Sequence, residues 1–172
     1  MNETLHNLKT RRSIRSYLPK QVEKDLLDQV LEAGTFAPTG GGKQVPIIVA
    51  VQDEATVKQL SRMNAQALGN DSDPFYGAPT VLVVLAERTR RTYLLDGAAV
   101  ITTLLNAAHA VGLGSCWVHR AKEMFESDEG KALLKTWGIE GDYEGIGNVI
   151  LGYANGPAPE PAPRKANYIV RV

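Results

Sequence analysis

Three arginines and one serine near the start of the chain carry the side chains expected of an anion site. Arg11, Arg12, Ser13 and Arg15 fall within five consecutive residues. Guanidinium groups present forked hydrogen-bond donors and serine adds a hydroxyl, so the set suits a phosphate or the carbonyl edge of a planar ring. Runs of charge also commonly do no more than face water. From position alone, the segment is either a solvated basic loop or an anion site.

A proline and three consecutive glycines mark a second segment, residues 37–44. Pro38 restricts the backbone, whereas the glycines allow a loop to lie flat against another surface. The Gly-Gly-Lys sequence imitates a nucleotide phosphate loop. Ala37, however, stands where that motif has its first glycine, and Gln44 stands where it has a hydroxyl, which excludes an NTPase of this class. The segment is either a flexible turn or a loop that contacts a flat ligand.

The longest uncharged stretch of the chain predicts a central helix. No Asp, Glu, Lys or Arg occurs in residues 97–119. Polar residues and two glycines interrupt the stretch, which argues against a membrane span. Apolar residues recur at helical spacing over 98–111 and also occupy the other side, so we expect a helix that is packed all round. Asp96 is its predicted N-terminal cap and Gly112 its stop.

A short strand is predicted directly after this helix, at residues 115–118. It brings His119 and Arg120 to an edge of the core, and ligands commonly bind at strand ends of this kind in open α/β sheets. Cys116 lies within the strand. Because no partner base can be identified for it, we interpret this cysteine as a packing residue rather than a nucleophile.

The rest of the chain alternates helical and strand patterns. Four further helices are predicted, at 3–9, 23–33, 54–68 and 122–137. Three further strands are predicted, at 46–51, 80–86 and 145–152. Gly34 and Gly138 are the expected stops of the second and fourth of these helices. Uninterrupted apolar strands between helices favour a three-layer sandwich with a mixed or largely parallel sheet.

The C-terminal residues predict an extended arm followed by a last strand. Prolines occupy positions 157, 159, 161 and 163, which prevent both a helix and an ordinary central strand. Residues 167–172 then have a strand pattern that a stiff arm would carry away from the body. We therefore divide the chain into a single domain at 1–155 and an arm at 156–172 that packs on a partner subunit, its strand joining the partner's sheet.

Composition limits the classes of partner and compartment. The chain has 172 residues, with 19 basic and 19 acidic side chains, so a general field that attracts nucleic acid or anionic membranes is absent. We expect a small molecule or a protein as partner. One cysteine cannot form an internal disulfide, and the first residues lack the pattern of a signal peptide, which favours a cytoplasmic protein. No zinc-like cluster is visible, and no metal is expected.

Four pieces of the chain, taken in order, resemble the FMN-dependent nitroreductase family. They are Arg11-Arg12-Ser13-Ile14-Arg15, Ala37-Pro38-Thr39-Gly40-Gly41 with Gln44, Gly112-Leu113-Gly114-Ser115-Cys116-Trp117, and Gly152-Tyr153 before a proline-rich tail with Arg164. The resemblance covers almost the whole chain. It implies an α+β, α/β/α homodimer with an FMN in each of two interface sites. NADH or NADPH reduces the flavin, and a nitroaromatic, quinone-like or other flat acceptor reoxidises it in alternation.

The resemblance also implies roles for residues of the first two segments. Arg11, Arg12, Ser13 and Arg15 match the family segment that holds the phosphate and the pyrimidine side of the flavin, which favours the anion site over the solvated loop. A second matching set, Pro38, Thr39 and Gly40, corresponds to the loop that the second subunit lays over the flavin.

Three further parts of the chain match flavin contacts of the family. Asn64 matches an amide at the ring edge. The strand end matches the backbone that passes the reactive nitrogen of the flavin, through Trp117, Val118, His119 and Arg120. Arg164, with Lys165, matches the cation of the tail that binds the phosphate. No side chain is expected to act as a nucleophile, because hydride and electron transfer belong to the flavin.

The chain departs from the family pattern at several positions. Gly42 stands where many members have Asn, and Val45-Pro46 stand where many have Pro-Trp. His119 and Arg120 replace residues that are often acidic and glycine, which implies a distinct substrate pocket. Alternatives to the proposed reductase are specialised family chemistry, such as dehalogenation, ene reduction or flavin breakdown, and a non-catalytic flavin-binding protein.

Overall fold

The fold is built from four strands and six helices in the part of the chain that the structure describes, residues 2–172 of a computed structural model. The strands are β1 Pro46–Val51, β2 Thr80–Glu87, β3 Gly114–Val118 and β4 Tyr143–Gly152. The helices are α1 Glu3–Thr10, α2 Lys24–Thr35, α3 Glu54–Leu68, α4 Tyr93–Ala110, α5 Ala121–Glu126 and α6 Asp128–Thr136. Across residues 2–172, every helix is too short or too polar to cross a membrane.

The strands form one antiparallel sheet in the order β1-β2-β4-β3. The α+β class is confirmed, but the expectation of a mixed or largely parallel sheet is wrong for the four strands of the single chain. Among residues 2–172, parallel pairing is confined to an isolated bridge between Ser13 and Ser115. The sheet is covered on both faces, and this cover removes the apolar-polar alternation that usually marks an antiparallel strand.

Two hydrophobic layers cover the faces of the sheet, which confirms the three-layer sandwich. Successive residues of β2 point to opposite layers: Val83 joins the layer that contains Leu60 of α3, and Val84 joins the layer that contains Leu104 of α4. All these side chains are fully buried. The centre of the molecule is therefore β2 and β4, and β3 lies at one edge of the sheet.

Helix α4 differs from its prediction in two ways. It begins at Tyr93, so Asp96 lies inside the helix and not at its cap, and its carboxylate binds another segment. The helix is also not packed all round in a single chain, because Leu94 and Leu95 are 47% and 71% exposed and Thr102 is exposed as well. Two apolar side chains in the first turn of α4 are thus left open to solvent.

Two other helix boundaries were predicted wrongly. Helix α2 continues through Gly34 to Thr35, and Gly34 serves for close packing, since a Cβ there would lie 2.6 Å from a methyl of Leu104. The helix expected over 122–137 is divided into α5 and α6 at Ser127. The Ser127 hydroxyl accepts a hydrogen bond from the Gly130 amide at 3.0 Å and begins a new helix.

The C-terminal arm extends from the body without regular structure. Residues 155–172 are exposed, and the predicted strand at 167–172 is not formed in the single chain. Tyr168, Ile169 and Val170 are 70%, 74% and 78% exposed. The addition of this segment to a partner's sheet stays a prediction, as does the domain division at residue 155.

Candidate functional site

The arginine segment lies along the free edge of β3. The Ile14 amide donates to the Ser115 carbonyl at 3.0 Å, next to the parallel bridge from Ser13 to Ser115. Gly114 permits this approach, because a Cβ there would lie 3.0 Å from the Ile14 side chain. The predicted Arg11–Arg15 segment is therefore held beside the strand that leads to His119.

Contacts with the C-terminal half of α4 fix the helix that precedes this segment. The Asn7 amide donates to the Asn106 carbonyl at 3.0 Å, and the Thr10 hydroxyl lies 2.9 Å from Nε2 of His109. Burial, and then the charges of Arg11 and its neighbours, lowers the pKa of His109. The lowered pKa favours the neutral form of the His109 ring beside the arginines.

Two of the arginines carry buried donors without a partner. Within residues 2–172, neither Nη1 of Arg11 nor Nε of Arg12 has a hydrogen-bond partner, although both atoms are out of contact with solvent. The hydroxyl of Ser115 on the adjacent strand is in the same condition. Buried donors of charged groups are costly to leave unpaired. These atoms fit an anionic group with several acceptor oxygens, such as a phosphate.

The end of β3 is shaped by a close contact with β4. A Cβ on Gly147 would lie 2.2 Å from Nε1 of Trp117, so the indole is seated on the glycine backbone. Trp117 is 39% exposed and Val118 is buried. His119 is exposed, and Arg120 has a positive φ of 72° before α5 begins. A left-handed conformation is uncommon for a residue other than glycine, and it turns the chain sharply at the strand end.

Asn64 is buried beneath this turn and holds its backbone. Its side-chain amide donates to the His119 carbonyl at 2.6 Å and contacts the Met124 sulfur at 3.2 Å. Asn148 of β4 reaches the same sulfur at 3.4 Å. Neither the Asn64 nor the Asn148 side-chain oxygen has a partner in the described part of the chain. Sequence reasoning missed Met124 and Asn148. The only signal for Asn148 is its amide within the otherwise apolar stretch 145–152.

Hydrogen bonds within the glycine-rich loop and to α4 define its shape. The Thr39 hydroxyl accepts from the Gln44 amide at 3.1 Å, and the Thr39 carbonyl accepts from the Gly42 amide at 2.9 Å. Gly41, Gly42 and Gln44 all have positive φ, of 61°, 65° and 52°. The Gly40 amide donates to the Asp96 carboxylate at 2.9 Å, which joins the loop to α4.

This loop and the arginine segment lie at opposite ends of α4. The loop contacts Asp96 in the first turn, whereas helix α1, which leads directly into the arginine segment, is tied to Asn106 and His109 near the last turn. At 1.5 Å of rise per residue, these contacts are about 15 to 20 Å apart along the helix. Next to the loop, Pro38 is exposed and Phe36 is 80% exposed. A single chain does not bring the two predicted flavin-contacting segments together.

The predicted tail cations also remain apart from the arginine segment in a single chain. The Arg164 guanidinium bonds to the carbonyl of Ala162 within the arm, at 3.1 Å from Nε. The Lys165 ammonium lies 5.4 Å from the centre of the Tyr168 ring. Their predicted contact with phosphate therefore requires the arm to take another position or to reach a second subunit.

A separate groove of about 770 Å³ lies between α3 and residues 70–79. None of the predicted site residues lines it. Its charged and polar side chains pair with each other, as Lys58 does with Glu54 and Ser61 with Asp73 at 2.5 Å. The groove therefore shares no lining residue with the arginine segment or the strand end.

Comparisons with known proteins identify the family of this chain. The family described as the nitroreductase family matches residues 8–153. A protein of Archaeoglobus fulgidus, provisionally named an NADH dehydrogenase/NAD(P)H nitroreductase, is 30% identical over 162 residues, which are 89% of this chain and 86% of the relative.

Solved structures of nitroreductases have a similar fold over the whole length of this chain. A nitroreductase with bound FMN from Bacteroides fragilis NCTC 9343 has a TM-score of 0.92 at 28% identity, with 100% of both chains covered. Another nitroreductase with bound FMN, from Desulfitobacterium hafniense DCB-2, has a TM-score of 0.90 at 25% identity and covers 100% of this chain and 99% of its own. From its sequence match and its fold, this chain belongs to the nitroreductase family.

Proposed function

We propose that this chain is the subunit of a homodimeric FMN-dependent oxidoreductase that takes electrons from NADH or NADPH. Its acceptors would be nitroaromatic, quinone-like or related flat molecules, reduced in alternation with the nicotinamide. The relative from Archaeoglobus fulgidus carries a name of this kind, and two similar structures have FMN bound. The observation that carries the proposal is the set of buried, unpaired arginine donors beside the start of β3, where Ser13 bridges to Ser115.

The arginine segment fits the anionic end of FMN. Arg11 and Arg12 have the unpaired donors described above, and Ser13 lies on the same stretch beside Ser115. A phosphate would satisfy these donors with charge-assisted hydrogen bonds. Arg15 follows along the edge of β3, where it would face the pyrimidine side of the ring. Its positive charge would favour the negative charge that this side gains on reduction.

The strand end would position the ring. FMN, when bound, would supply the hydride chemistry, so that the protein contributes binding, orientation and electrostatics. The backbone from Trp117 to Arg120 would pass the reactive edge of the ring and donate a hydrogen bond to it. Asn64 would act mainly by holding the His119 carbonyl, since its side-chain amide is already engaged there and only its oxygen remains free among described contacts.

The opposite placement of the loop and the arginine segment supports a dimeric site. The loop would cover the flavin of the partner through Pro38, Thr39 and Gly40. The solvent-exposed face of α4, with Leu94 and Leu95, and the exposed Phe36 offer apolar surface for a second copy. The arm would wrap the partner and bring Arg164 and Lys165 to a phosphate.

A cytoplasmic location also stays a prediction.

The test is a flavin titration with a steady-state assay. Purified protein should be yellow or bind added FMN with one equivalent per subunit, and it should oxidise NADH or NADPH when a nitroaromatic or quinone is present. Arg11→Ala and Arg15→Ala should weaken FMN binding, whereas Arg62→Ala, which breaks a surface ion pair with Glu129, should not. Protein that binds no FMN would overturn the proposal. Full FMN content without turnover would favour the non-catalytic flavin-binding protein instead.

A further inference from the structure

We propose that Asp96 is a positioning residue: its carboxylate fixes the loop at Pro38–Gly40 in the shape with which it covers the flavin of the partner subunit. This inference rests on the proposed function. It assigns a role to a buried charge that binds no cation among residues 2–172, and it links two segments that are 56 residues apart in sequence.

The environment of Asp96 shows what its charge is used for. The residue is 4% exposed, and its two oxygens accept from the Gly40 amide at 2.9 Å and the Thr92 hydroxyl at 3.0 Å. Glu144, which is buried to the same degree, is instead paired with Arg88 at 2.8 Å. A buried carboxylate needs hydrogen-bond donors or positive charge to compensate for its loss of hydration. For Asp96, this compensation comes from two neutral donors and the N-terminal turn of α4, and one of those donors is the loop.

The backbone of the loop is matched closely to this contact. A Cβ on Gly40 would lie 2.3 Å from the Thr92 hydroxyl, so only glycine allows the amide to reach Asp96. Beyond Gly40 the chain passes through two glycines and Gln44 with positive φ. Such backbone conformations persist when surrounding contacts determine them. The bond from Gly40 to Asp96 is a contact that ties this strained segment to a rigid helix.

The position of Pro38 and Thr39 follows from this tie. Both precede Gly40 directly, and Pro38 points to solvent in a single chain. If the hydrogen bond from Gly40 to Asp96 is lost, the loop must become ordered each time it closes over a ligand. The entropic cost of that ordering weakens binding. Because helix α1, which leads directly into the arginine segment, is tied to the other end of α4, helix α4 separates the loop of a subunit from that subunit's own arginines.

The experiment compares Asp96→Ala with Asp96→Asn in the full-length protein. Asparagine keeps an oxygen that can accept from Gly40, whereas alanine removes it. The readouts are hydrogen exchange of the Gly40 amide by NMR and the FMN dissociation constant by fluorescence titration. Asp128→Ala is the matched control, an exposed aspartate in the first turn of another helix. Gly40→Ala approaches the same contact from the loop side and serves if Asp96→Ala does not fold.

We expect Asp96→Ala to speed exchange of the Gly40 amide by about tenfold or more and to weaken FMN binding by a similar factor, the effect of leaving the Gly40 amide without its acceptor. Asp96→Asn should stay within about threefold of the wild type on the same scale, and Gly40→Ala should behave like Asp96→Ala. Asp128→Ala should change neither readout.

Unchanged Gly40 exchange in Asp96→Ala would overturn the inference. So would faster exchange with undiminished FMN affinity, or an Asp96→Asn variant as impaired as Asp96→Ala. Wild-type protein that binds no FMN would overturn the proposed function itself. In that case, the exchange data alone would still show whether Asp96 fixes the loop.

Discussion

The side-chain amide of Asn64 donates to the backbone carbonyl of His119 at 2.6 Å, across 55 residues of sequence. This contact ties α3 to the turn at which β3 ends and α5 begins. Asn64 is fully buried, and Met124 of α5 lies against the same amide at 3.2 Å. The conformation of the strand end is therefore set from beneath by one side chain of a different helix.

Replacement of Asn64 by alanine should loosen the strand end. The His119 carbonyl would lose its donor, and a buried group left unpaired costs about 1–3 kcal/mol. We expect a free energy of unfolding lower by that amount and weaker FMN binding, measured by urea denaturation and fluorescence titration. Gln66→Ala is the control, because Gln66 is exposed on the same helix. An Asn64→Ala protein with wild-type stability would show that the contact is not structural.

Replacement of Gly147 by alanine should displace Trp117. The new Cβ would lie 2.2 Å from the indole nitrogen and 2.8 Å from a methyl of Ile101. Overpacking of this kind typically costs about 1–3 kcal/mol of folding free energy. The expected result is a lower thermal midpoint with altered tryptophan fluorescence. A Gly147→Ala/Trp117→Ala double variant should lose less folding free energy than the two single variants lose together. Strict additivity would contradict the contact.

Acidification should destabilise the FMN-free protein through His109. Burial and the charge of Arg11 lower the pKa of His109 in the folded state, while the unfolded chain keeps a value of about 6.5. In the window below that value, the unfolded state binds a proton that the folded state does not. Stability should be complete above about pH 6.5 and decline as the pH falls toward the lowered value.

Thermal unfolding between about pH 7.5 and 5.5 checks this prediction, since most carboxylates titrate below that range. His109→Gln removes the titrating ring and keeps a donor for Thr10. It should therefore show a smaller loss of thermal midpoint over the same interval. Equal losses in the two proteins would mean that His109 is not the responsible group.

The three candidate segments could be predicted from the sequence because each is a local pattern. The arginines, the glycine-rich loop and the strand end that closes the uncharged stretch are all visible within short windows. The structure places two of them together, through the bridge from Ser13 to Ser115, and the third at the far end of α4. Their assignment to one flavin came from the family resemblance, because spacing alone does not show which segments meet.

The errors of prediction also have physical causes. The apolar run of β2 is typical of a strand covered on both faces, which occurs in parallel sheets and equally in this antiparallel one. Asp96 resembled a helix cap because its true partner, Gly40, is 56 residues away. The break at Ser127 was hidden because Phe125 and Leu133 on either side of it have the i, i+8 spacing of one face of a continuous helix.

Removal of the arm should weaken both the dimer and the flavin site. Truncation after Asn155 deletes Arg164 and Lys165 together with the exposed apolar residues at 168–170. We expect a shift toward monomer in light scattering and a weaker FMN titration. A truncated protein that stays dimeric with full FMN content would show that the arm serves neither purpose.

The most direct test of a site shared between subunits is complementation in a mixed dimer. One subunit carries Arg11→Ala and Arg15→Ala, the other carries Pro38→Glu and Thr39→Glu, and each homodimer should bind little FMN. When the two chains are co-expressed with different tags and purified through both, one of the two sites combines intact arginines with an intact loop. The account predicts one FMN per mixed dimer with restored NADH or NADPH oxidation. A mixed dimer that binds no more FMN than its parents would contradict it.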